Sequence, residues 1–509
     1  MLFNSFSFLF IFLPIVWGCY IMLRGNRMQI WLLVLASLVF YGVWDVAFLP
    51  IIAASILLNY ALSYVILSAG DRRRRKVLVA LGIAGNLATL AYFKYTNFFI
   101  DNVNMALGAE LFWPAVVLPI GISFFTFQQC AFLVDTYRNE VRERNFGNYA
   151  LFVSFFPQLI AGPIVHHKEM MPQFADQKQG DVWFNLCTGL TLLTIGLAKK
   201  VLIADTVSVP SSNIFNAAAL GDAPTFLEAW TAAVAYSFQI YFDFSAYSDM
   251  AVGLGRLFGI NLPINFASPY KATSITDFWR RWHITLSRFL RDYLYIPLGG
   301  NRKGVIRQDI NLMATMLLGG IWHGAGWTFL LWGGLHGLLL LMHRWWRTTG
   351  VSQALRGRAW WTVVASALTL LAVVFTWVPF RAESLGATLS VWAGMIGLNG
   401  IEVPQAAVAL ANYMPFLDIQ VGAPAEITLK YAVLFVVLFI IVRWAPNAYS
   451  FMQPAHLGLP SPGYPATDIT EPSYLSWKPN AFWACVTSLV FLWVILELND
   501  ASEFIYFQF

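Results

Sequence analysis

The sequence feature that most limits the fold is a series of uncharged apolar runs, each about as long as a lipid bilayer is thick. A helix needs about 20 mainly apolar residues to cross the hydrocarbon core. The clearest runs of this kind cover residues 3–22, 28–44, 111–134, 360–380 and 479–496. Charged residues make up only 12% of the chain, whereas a soluble domain has about 25%. The composition therefore excludes a soluble enzyme and predicts an all-α, polytopic membrane protein.

Shorter or interrupted runs raise the expected number of transmembrane helices to roughly 10–12. They cover residues 51–68, 77–98, 182–203, 230–256 and 427–442. The apolar stretch 149–167 contains helix-breaking prolines, so we expect either a re-entrant segment or a crossing there. The run 310–343 lacks Asp, Glu, Lys and Arg, and one straight helix of that length would measure about 50 Å against a core of about 30 Å. That run must bend or divide into two helices.

The distribution of charge favours contact with lipid over contact with nucleic acid. The net charge is only +5, and the basic residues form separate clusters between the apolar runs. Such clusters are typical of cytoplasmic loops, and they predict no nucleic-acid partner. The four cysteines lack the spacing of zinc ligands, and we expect no metal. We predict one membrane domain over residues 1–509, with an interfacial amphipathic segment at 270–300 and extramembrane loops at 399–426 and 445–478.

Ionisable residues inside apolar runs are costly in a bilayer, so each of them needs a reason. Asp243 and Asp249 lie six residues apart in one hydrophobic stretch. We favour buried ion pairs that fix helix packing, and the alternative is a polar cavity lined by the two carboxylates. Lys199 and Lys200 also lie in an apolar run. Snorkelling of their long side chains leaves the orientation of the chain beyond them open.

Residues 274–293 have the pattern of an amphipathic helix with several arginines. Ser274 and Asp277 have the spacing of a capping box, which predicts a helix start. Apolar residues then recur every three or four positions, which is typical of a helix that lies in the membrane interface. Its arginines either hold anionic lipid or bind an anionic cosubstrate such as the phosphates of coenzyme A. In the second case we expect Arg280 and Arg281 to bind the donor.

The most unusual histidine of the chain is His323, within the glycine-rich apolar run GGIWHGAGWT (319–328). Glycines let backbones and a ligand approach closely. A neutral imidazole can take a proton from a hydroxyl near pH 7. From chemistry alone, a catalytic base and a structural histidine bonded to one carbonyl are equally favoured. For His336 and His343 we favour a structural role.

Several sequence blocks, in one order along nearly the whole chain, resemble those of the membrane-bound O-acyltransferase (MBOAT) family. The blocks are FKY (93–95), LPIGISFFTFQ (118–128), DTYR (135–138), KKVLIAD (199–205), DFWRRWHITLS (277–287), RDYLYIPLGG (291–300), WHGA (322–325) and FIYFQF (504–509). The C-terminal block and the chain length are most similar to the bacterial branch that O-acetylates alginate. Asn139 stands where this family usually has glycine, and Phe125 where tyrosine is common.

The resemblance implies a multi-helix body around a central channel or funnel, with re-entrant and interfacial helices. It implies that His323 is the catalytic histidine deep in that funnel and that His283 is a second catalytic histidine. With the two arginines, Trp279 and Trp322 are expected to bind substrate. The family moves acyl groups from a thioester to a hydroxyl. We therefore expect acetyl-CoA as the acetyl donor, with no cofactor bound.

The function implied by the resemblance is that of an O-acetyltransferase of the bacterial inner membrane. It takes acetyl from a cytoplasmic thioester and passes it to periplasmic acetyltransferase partner proteins, which complete the O-acetylation of an exopolysaccharide, first of all alginate. Membrane lipids are the other expected partners. The alternative within the enzyme class is the same chemistry on cellulose or peptidoglycan. A transporter or flippase, whose cargo emerges unchanged, and a scaffold for an export complex are the alternatives outside it.

Overall fold

A computed structural model of the chain describes residues 1–141, 144–175, 180–403, 419–421, 429–452, 474–498 and 502–507. Nearly all regular structure within these residues is helical, which confirms the predicted class. The chain divides into two compact units. The first unit consists of Met1–Ala198, Ser245–Asn265 and Ala448–Phe509, and the second of Lys199–Phe244 and Phe266–Asn447. Most of the loops predicted at 399–426 and 445–478 lies outside the described residues.

The helices follow the apolar runs closely. The first ten are α1 (Leu13–Met22), α2 (Met28–Gly42), α3 (Leu49–Ser68), α4 (Arg72–Leu107), α5 (Ile122–Tyr137), α6 (Phe146–Ser154), α7 (Phe156–Leu159), α8 (His167–Ala175), α9 (Val182–Ala198) and α10 (Asp205–Ala219). Next come α11 (Phe226–Leu257), α12 (Ile275–Arg281), α13 (Ile284–Leu290), α14 (Val305–His323), α15 (Trp327–Trp346), α16 (Gly350–Leu355), α17 (Ala359–Arg381) and α18 (Leu385–Met395). The last are α19 (Leu429–Trp444), α20 (Ala448–Phe451) and α21 (Ala481–Glu497).

Shorter elements join or extend these helices. Two three-residue strands, β1 (Ile401–Val403) and β2 (Ile419–Val421), pair in parallel within the region predicted as a loop. π-Helical turns occur at Phe8–Phe12, Lys199–Ala204 and Arg291–Tyr295, and 3-10 turns at Val46–Phe48, Pro269–Lys271 and Ile505–Phe507. The π turn at Lys199–Ala204 joins α9 to α10 in one long helical stretch.

By length and composition, four helical stretches within the described residues can cross a membrane. They are Val46–Ser68, Arg72–Leu107, Val182–Ala219 and Ala359–Arg381. The larger number predicted from the sequence depends on further helices. Some of these are shorter apolar ones, such as Phe8–Met22 and Ala481–Glu497, and that number stays a prediction.

The run 111–134 is helical only in its second half, and the prediction of a span over its whole length is wrong. Residues 111–120 are irregular, and α5 begins at Ile122. Pro114 and Pro119 explain this, because proline has no N–H to donate and its ring clashes with the preceding turn of a helix. The stretch 149–167 is also interrupted, between α6 and α7 and again before α8. This excludes a continuous helical crossing and agrees with a re-entrant segment.

The run 310–343 divides into two helices, as its length predicts. Helix α14 ends at His323, and α15 begins at Trp327. The two helices pack with their backbones in close approach, because a Cβ atom at Gly320 would lie 2.4 Å from the Phe329 oxygen, and one at Gly333 would lie 2.5 Å from the Met316 oxygen. Only glycine fits these two positions.

The backbone conformation of Asn139, in the first unit, explains why asparagine can replace glycine after the DTYR block. Asn139 has φ 59°, in the left-handed region. Glycine adopts this conformation readily, and asparagine is among the few other residues that do so. The Asn139 side chain also accepts a hydrogen bond from the Arg75 guanidinium at 2.8 Å. The difference from the family pattern is therefore compatible with the same turn.

Candidate active site

The segment 274–293 is not one continuous helix, and the prediction of a single helix is wrong. Its position in the membrane interface stays a prediction. Its start is as predicted, because the Ser274 hydroxyl accepts a hydrogen bond from the Asp277 N–H at 3.2 Å. The helix then stops at Arg281 and starts again at Ile284. A right-handed helix cannot continue through His283, because its backbone has φ 42° and ψ 55°. Residues before and after this turn are buried, among them Arg288, which is 2% exposed.

His283 is fully buried in the turn between α12 and α13. Its ring lies against Phe244 of α11, with centroids 4.7 Å apart and ring planes almost perpendicular. A left-handed backbone at a residue other than glycine costs free energy, and such residues occur often at functional sites. The turn lies outside the helices that can cross a membrane, and burial lowers the pKa of the His283 imidazole to about 3. The ring is therefore neutral near pH 7.

His323 is the last residue of α14 and is 4% exposed. Aromatic rings surround it. The ring centroids of Trp322, Trp332 and Phe380 lie 4.9, 5.0 and 5.2 Å from that of His323. Such an enclosure excludes water and lowers the local dielectric constant, which strengthens polar interactions made inside it.

The fold brings the two predicted catalytic histidines together. The ring centroids of His283 and His323 lie 6.4 Å apart. The ring centroid of Trp322 lies 6.4 Å from that of His283 and 4.9 Å from that of His323, so Trp322 belongs to the same cluster. Two buried imidazoles at this separation can act on different atoms of one reacting complex. One can take a proton while the other contacts the group that leaves.

His336, on α15, has both ring nitrogens engaged in hydrogen bonds. The Trp279 indole N–H donates to Nδ1 at 3.2 Å, and the Thr376 hydroxyl lies 3.1 Å from Nε2. Since the Thr376 hydroxyl donates to the Val373 oxygen at 2.9 Å, Nε2–H donates to Thr376. The ring is thus a neutral tautomer fixed between helices. This arrangement supports the structural role favoured for His336.

The four residues expected to bind substrate are in different environments. Trp322 contacts the two histidines, whereas Trp279 donates its N–H to His336. Arg281 is partly buried and bonds to Asp277, with Nε and Oδ1 3.0 Å apart. Arg280 is exposed. Of the two arginines, Arg280 is therefore the more accessible to an anion.

Lys200 is buried and does not snorkel, and the orientation of the chain beyond it stays open. Its side chain is 3% exposed, and Nζ lies 2.8 Å from carboxylate oxygens of both Asp205 and Asp243. The ion-pair interpretation is therefore confirmed for Asp243. Asp249, on the same helix but in the first unit, is buried. Asp243 directly precedes Phe244, so the ion-pair network adjoins the ring that contacts His283.

Several residues around the histidines were not predicted from the sequence. Phe244, Thr376 and Phe380 lie on other helices, and no local pattern connects them to His323. Trp332 has a weak signal, because it lies four residues before His336, a spacing that puts both on one face of α15. Within the part of the chain that the structure describes, no three His, Cys, Asp or Glu side chains are arranged to hold a metal ion.

Comparison with known proteins identifies the family of the chain. The sequence pattern of MBOAT, the membrane-bound O-acyltransferase family, matches residues 78–373. This range contains His283, His323, Trp322 and Trp332, whereas Phe380 lies beyond it. The chain belongs to the membrane-bound O-acyltransferase family. It is therefore an acyltransferase and a multi-pass membrane protein.

Two relatives match over the whole chain, and a third matches over part of it. The peptidoglycan O-acetyltransferase of Helicobacter pylori is 38% identical over 100% of this chain and 98% of its own length. A protein of Pseudomonas putida named "probable alginate O-acetylase" is 39% identical over the full length of both chains. The teichoic acid D-alanyltransferase of Streptococcus thermophilus is 28% identical over 45% of this chain and 57% of its own. The MBOAT relatives thus share acyl transfer but differ in the polymer that their names give.

Proposed function

We propose that this MBOAT protein is an O-acetyltransferase of the bacterial inner membrane that serves the O-acetylation of an exopolysaccharide. It takes acetyl from acetyl-CoA, a cytoplasmic thioester, and passes it across the membrane to periplasmic acetyltransferase partners. The observation that carries this proposal is the pair of buried histidines with ring centroids 6.4 Å apart. Water that entered such a site would hydrolyse the thioester, and the aromatic enclosure of His323 keeps it out.

In the proposed mechanism, His323 acts as the general base. Its neutral ring takes the proton of the acceptor hydroxyl, whose oxygen attacks the acyl carbon of the thioester. The carbon–sulfur bond breaks, and the proton then passes from His323 to the leaving sulfur. His283 supplies the second imidazole beside the reacting groups. Because His283 is fully buried, it acts from inside the site. Arg280, in contrast, is exposed.

Alginate is the polymer we propose first, because the relatives that match over their full length include proteins named probable alginate O-acetylases. The full-length match to a peptidoglycan O-acetyltransferase supports peptidoglycan as the second candidate. An experiment in cells distinguishes the two candidate polymers. We expect expression of this chain to restore acetyl groups to alginate in an alginate-producing strain that lacks its own O-acetylase. Acetylated muramic acid with unmodified alginate would favour the second candidate.

The decisive experiment uses the purified protein in detergent with acetyl-CoA labelled in its acetyl group. We expect release of the coenzyme A thiol together with transfer of label to an added acceptor or to a periplasmic partner. A transporter or a scaffold would leave the thioester intact. Intact donor in the presence of acceptor and partner would refute the proposed donor and the reaction.

His323→Gln tests the role of the base. General base catalysis contributes roughly 10²- to 10⁴-fold in rate, so we expect kcat to fall by at least about 10² while the protein inserts and folds normally. His343→Gln is the matched control, because His343 Nδ1 lies 2.8 Å from the Thr276 hydroxyl and the mechanism gives His343 no role. A loss of only about twofold in His323→Gln would contradict a base at this position.

A further inference from the structure

Trp332 of α15 carries a buried hydrogen-bond donor that the mechanism above does not use. The side chain is 1% exposed, and its indole N–H has no acceptor among the described residues. Indole nitrogen is a donor only. Buried donors without an acceptor are rare in folded proteins, and each one calls for an explanation.

Three other indole N–H groups of the second unit do have acceptors. Trp230 donates to the Met395 oxygen at 3.0 Å, and Trp392 donates to the Phe375 oxygen at 3.1 Å. Trp279, which lies 5.9 Å from Trp332, donates to His336. Trp377, which stacks on Trp332, likewise has a buried N–H for which the described residues provide no acceptor. What distinguishes Trp332 is the contact of its ring with His323.

The surroundings of Trp332 explain why no protein group accepts its hydrogen bond. Its ring lies 4.8 Å from His336, but both nitrogens of that ring are engaged with Trp279 and Thr376. On another side it meets Phe380 at 5.0 Å, which offers no acceptor. No described residue accepts this hydrogen bond, so the N–H is available to a bound molecule.

The molecule that enters this region is the one that reacts at His323. The rings of Trp332 and His323 have centroids 5.0 Å apart and planes at 88°. Attack on the thioester converts the acyl carbonyl oxygen into an oxyanion. A fixed N–H donor aimed at that oxygen stabilises the transition state more than the ground state.

We propose that the Trp332 N–H donates a hydrogen bond to the acyl carbonyl oxygen and to the oxyanion that develops there. The inference rests on the proposed role of His323. His323 takes the hydroxyl proton as the new carbon–oxygen bond forms, and the carbonyl electron pair moves onto the oxygen held by Trp332. When the pair returns, the carbon–sulfur bond breaks and the thiolate takes the proton from His323.

Packing holds the Trp332 ring in place before substrate arrives. Trp377 of α17 stacks on it with centroids 5.9 Å apart and an interplanar angle of 14°. His336, fixed by its two hydrogen bonds, contacts another side of the ring. Such a donor needs no reorganisation when charge develops, which is the condition for a large contribution to the rate.

The test removes the N–H and keeps the shape of the side chain. Site-specific replacement of Trp332 by 3-benzothienylalanine exchanges only the N–H for sulfur, and Trp332→Phe is the simpler variant. Loss of one oxyanion donor lowers kcat by about 10² to 10³. We expect a fall of about 10² in kcat for both variants, with little change in KM for the donor and an unchanged unfolding midpoint for the benzothienyl variant.

Trp392→Phe is the matched control, because it also removes one indole N–H from the second unit. We expect it to keep its kcat. A benzothienyl variant with wild-type kcat would overturn the inference, and so would a variant in which only KM rises. His323→Gln in the same assay separates this inference from the proposed function. If that variant is inactive while the benzothienyl variant is normal, only the role of Trp332 fails.

Discussion

Replacing Lys200 with methionine should destabilise the second unit more than any other single change in its ion-pair network. Lys200 and Asp243 are 3% and 2% exposed, whereas Asp205 is 31% exposed. Methionine keeps the length and apolar stem of the lysine but removes the cation that faces both carboxylates. The Asp243 carboxylate then remains buried beside the thioether of the new methionine.

The magnitude follows from the distances. A contact of 2.8 Å corresponds to about 6 kcal/mol of Coulomb energy at an effective dielectric constant of about 20. Desolvation of both ions offsets much of this energy, and removal of one partner from a buried pair costs about 3–5 kcal/mol. We therefore expect Lys200→Met to lower the free energy of unfolding by about 3–5 kcal/mol. Asp205→Asn should cost about 1 kcal/mol or less, because that carboxylate is partly hydrated.

The assay is a denaturation titration in mixed micelles, followed by the fluorescence of the 21 tryptophans. The double variant Lys200→Met with Asp243→Asn removes the buried anion together with the cation. We expect it to be more stable than Lys200→Met alone, with a coupling energy of about 2 kcal/mol or more. Equal losses for Lys200→Met and Asp205→Asn, or no recovery in the double variant, would refute this account of the network.

Two further changes test the helix packing and the donor side of the site. Gly333→Ala should cost about 1–3 kcal/mol and reduce acyl transfer, because its Cβ would lie 2.5 Å from a carbonyl oxygen of α14. Gly334→Ala is its control, since the nearest atom there is a side-chain carbon at 3.5 Å, and equal unfolding midpoints for the two would contradict the reasoning. Arg280→Gln should weaken acetyl-CoA binding about tenfold and reduce its dependence on salt. Arg281→Gln should do less, because that guanidinium already pairs with Asp277; donor affinity that is unchanged in Arg280→Gln would leave Arg280 as a lipid anchor.

The sequence predicted the local features of the site well. Helix starts and stops depend on residues next to each other, so the cap at Ser274 and the division of the run 310–343 were predicted correctly. The local pattern around His323, an imidazole between glycines in an uncharged run, left a catalytic and a structural role equally favoured. The family resemblance implied the catalytic role, which stays a prediction. The irregular stretch 111–120 differs from the prediction because its two prolines interrupt a run whose length and hydropathy favour a helix.

The pairing of residues far apart in the chain was not accessible in the same way. His283 was expected on an interfacial helix, and nothing in its neighbourhood indicated a left-handed backbone. Lys200 and Asp243 are 43 residues apart, and only packing of their helices puts them at 2.8 Å. The donor of Trp332 became visible only once the acceptors around it were accounted for.

The sequence by itself determined that this chain is a helical membrane protein, which stretches form its helices, and which histidine was worth testing. Tertiary structure alone decided that His283 joins His323 inside an aromatic enclosure and that Lys200 neutralises two carboxylates. The physical reason is that hydrophobicity and backbone propensity act locally. A helix that is apolar on all sides carries no periodic signal of which face points inward, so its rotation is set only by packing against its neighbours.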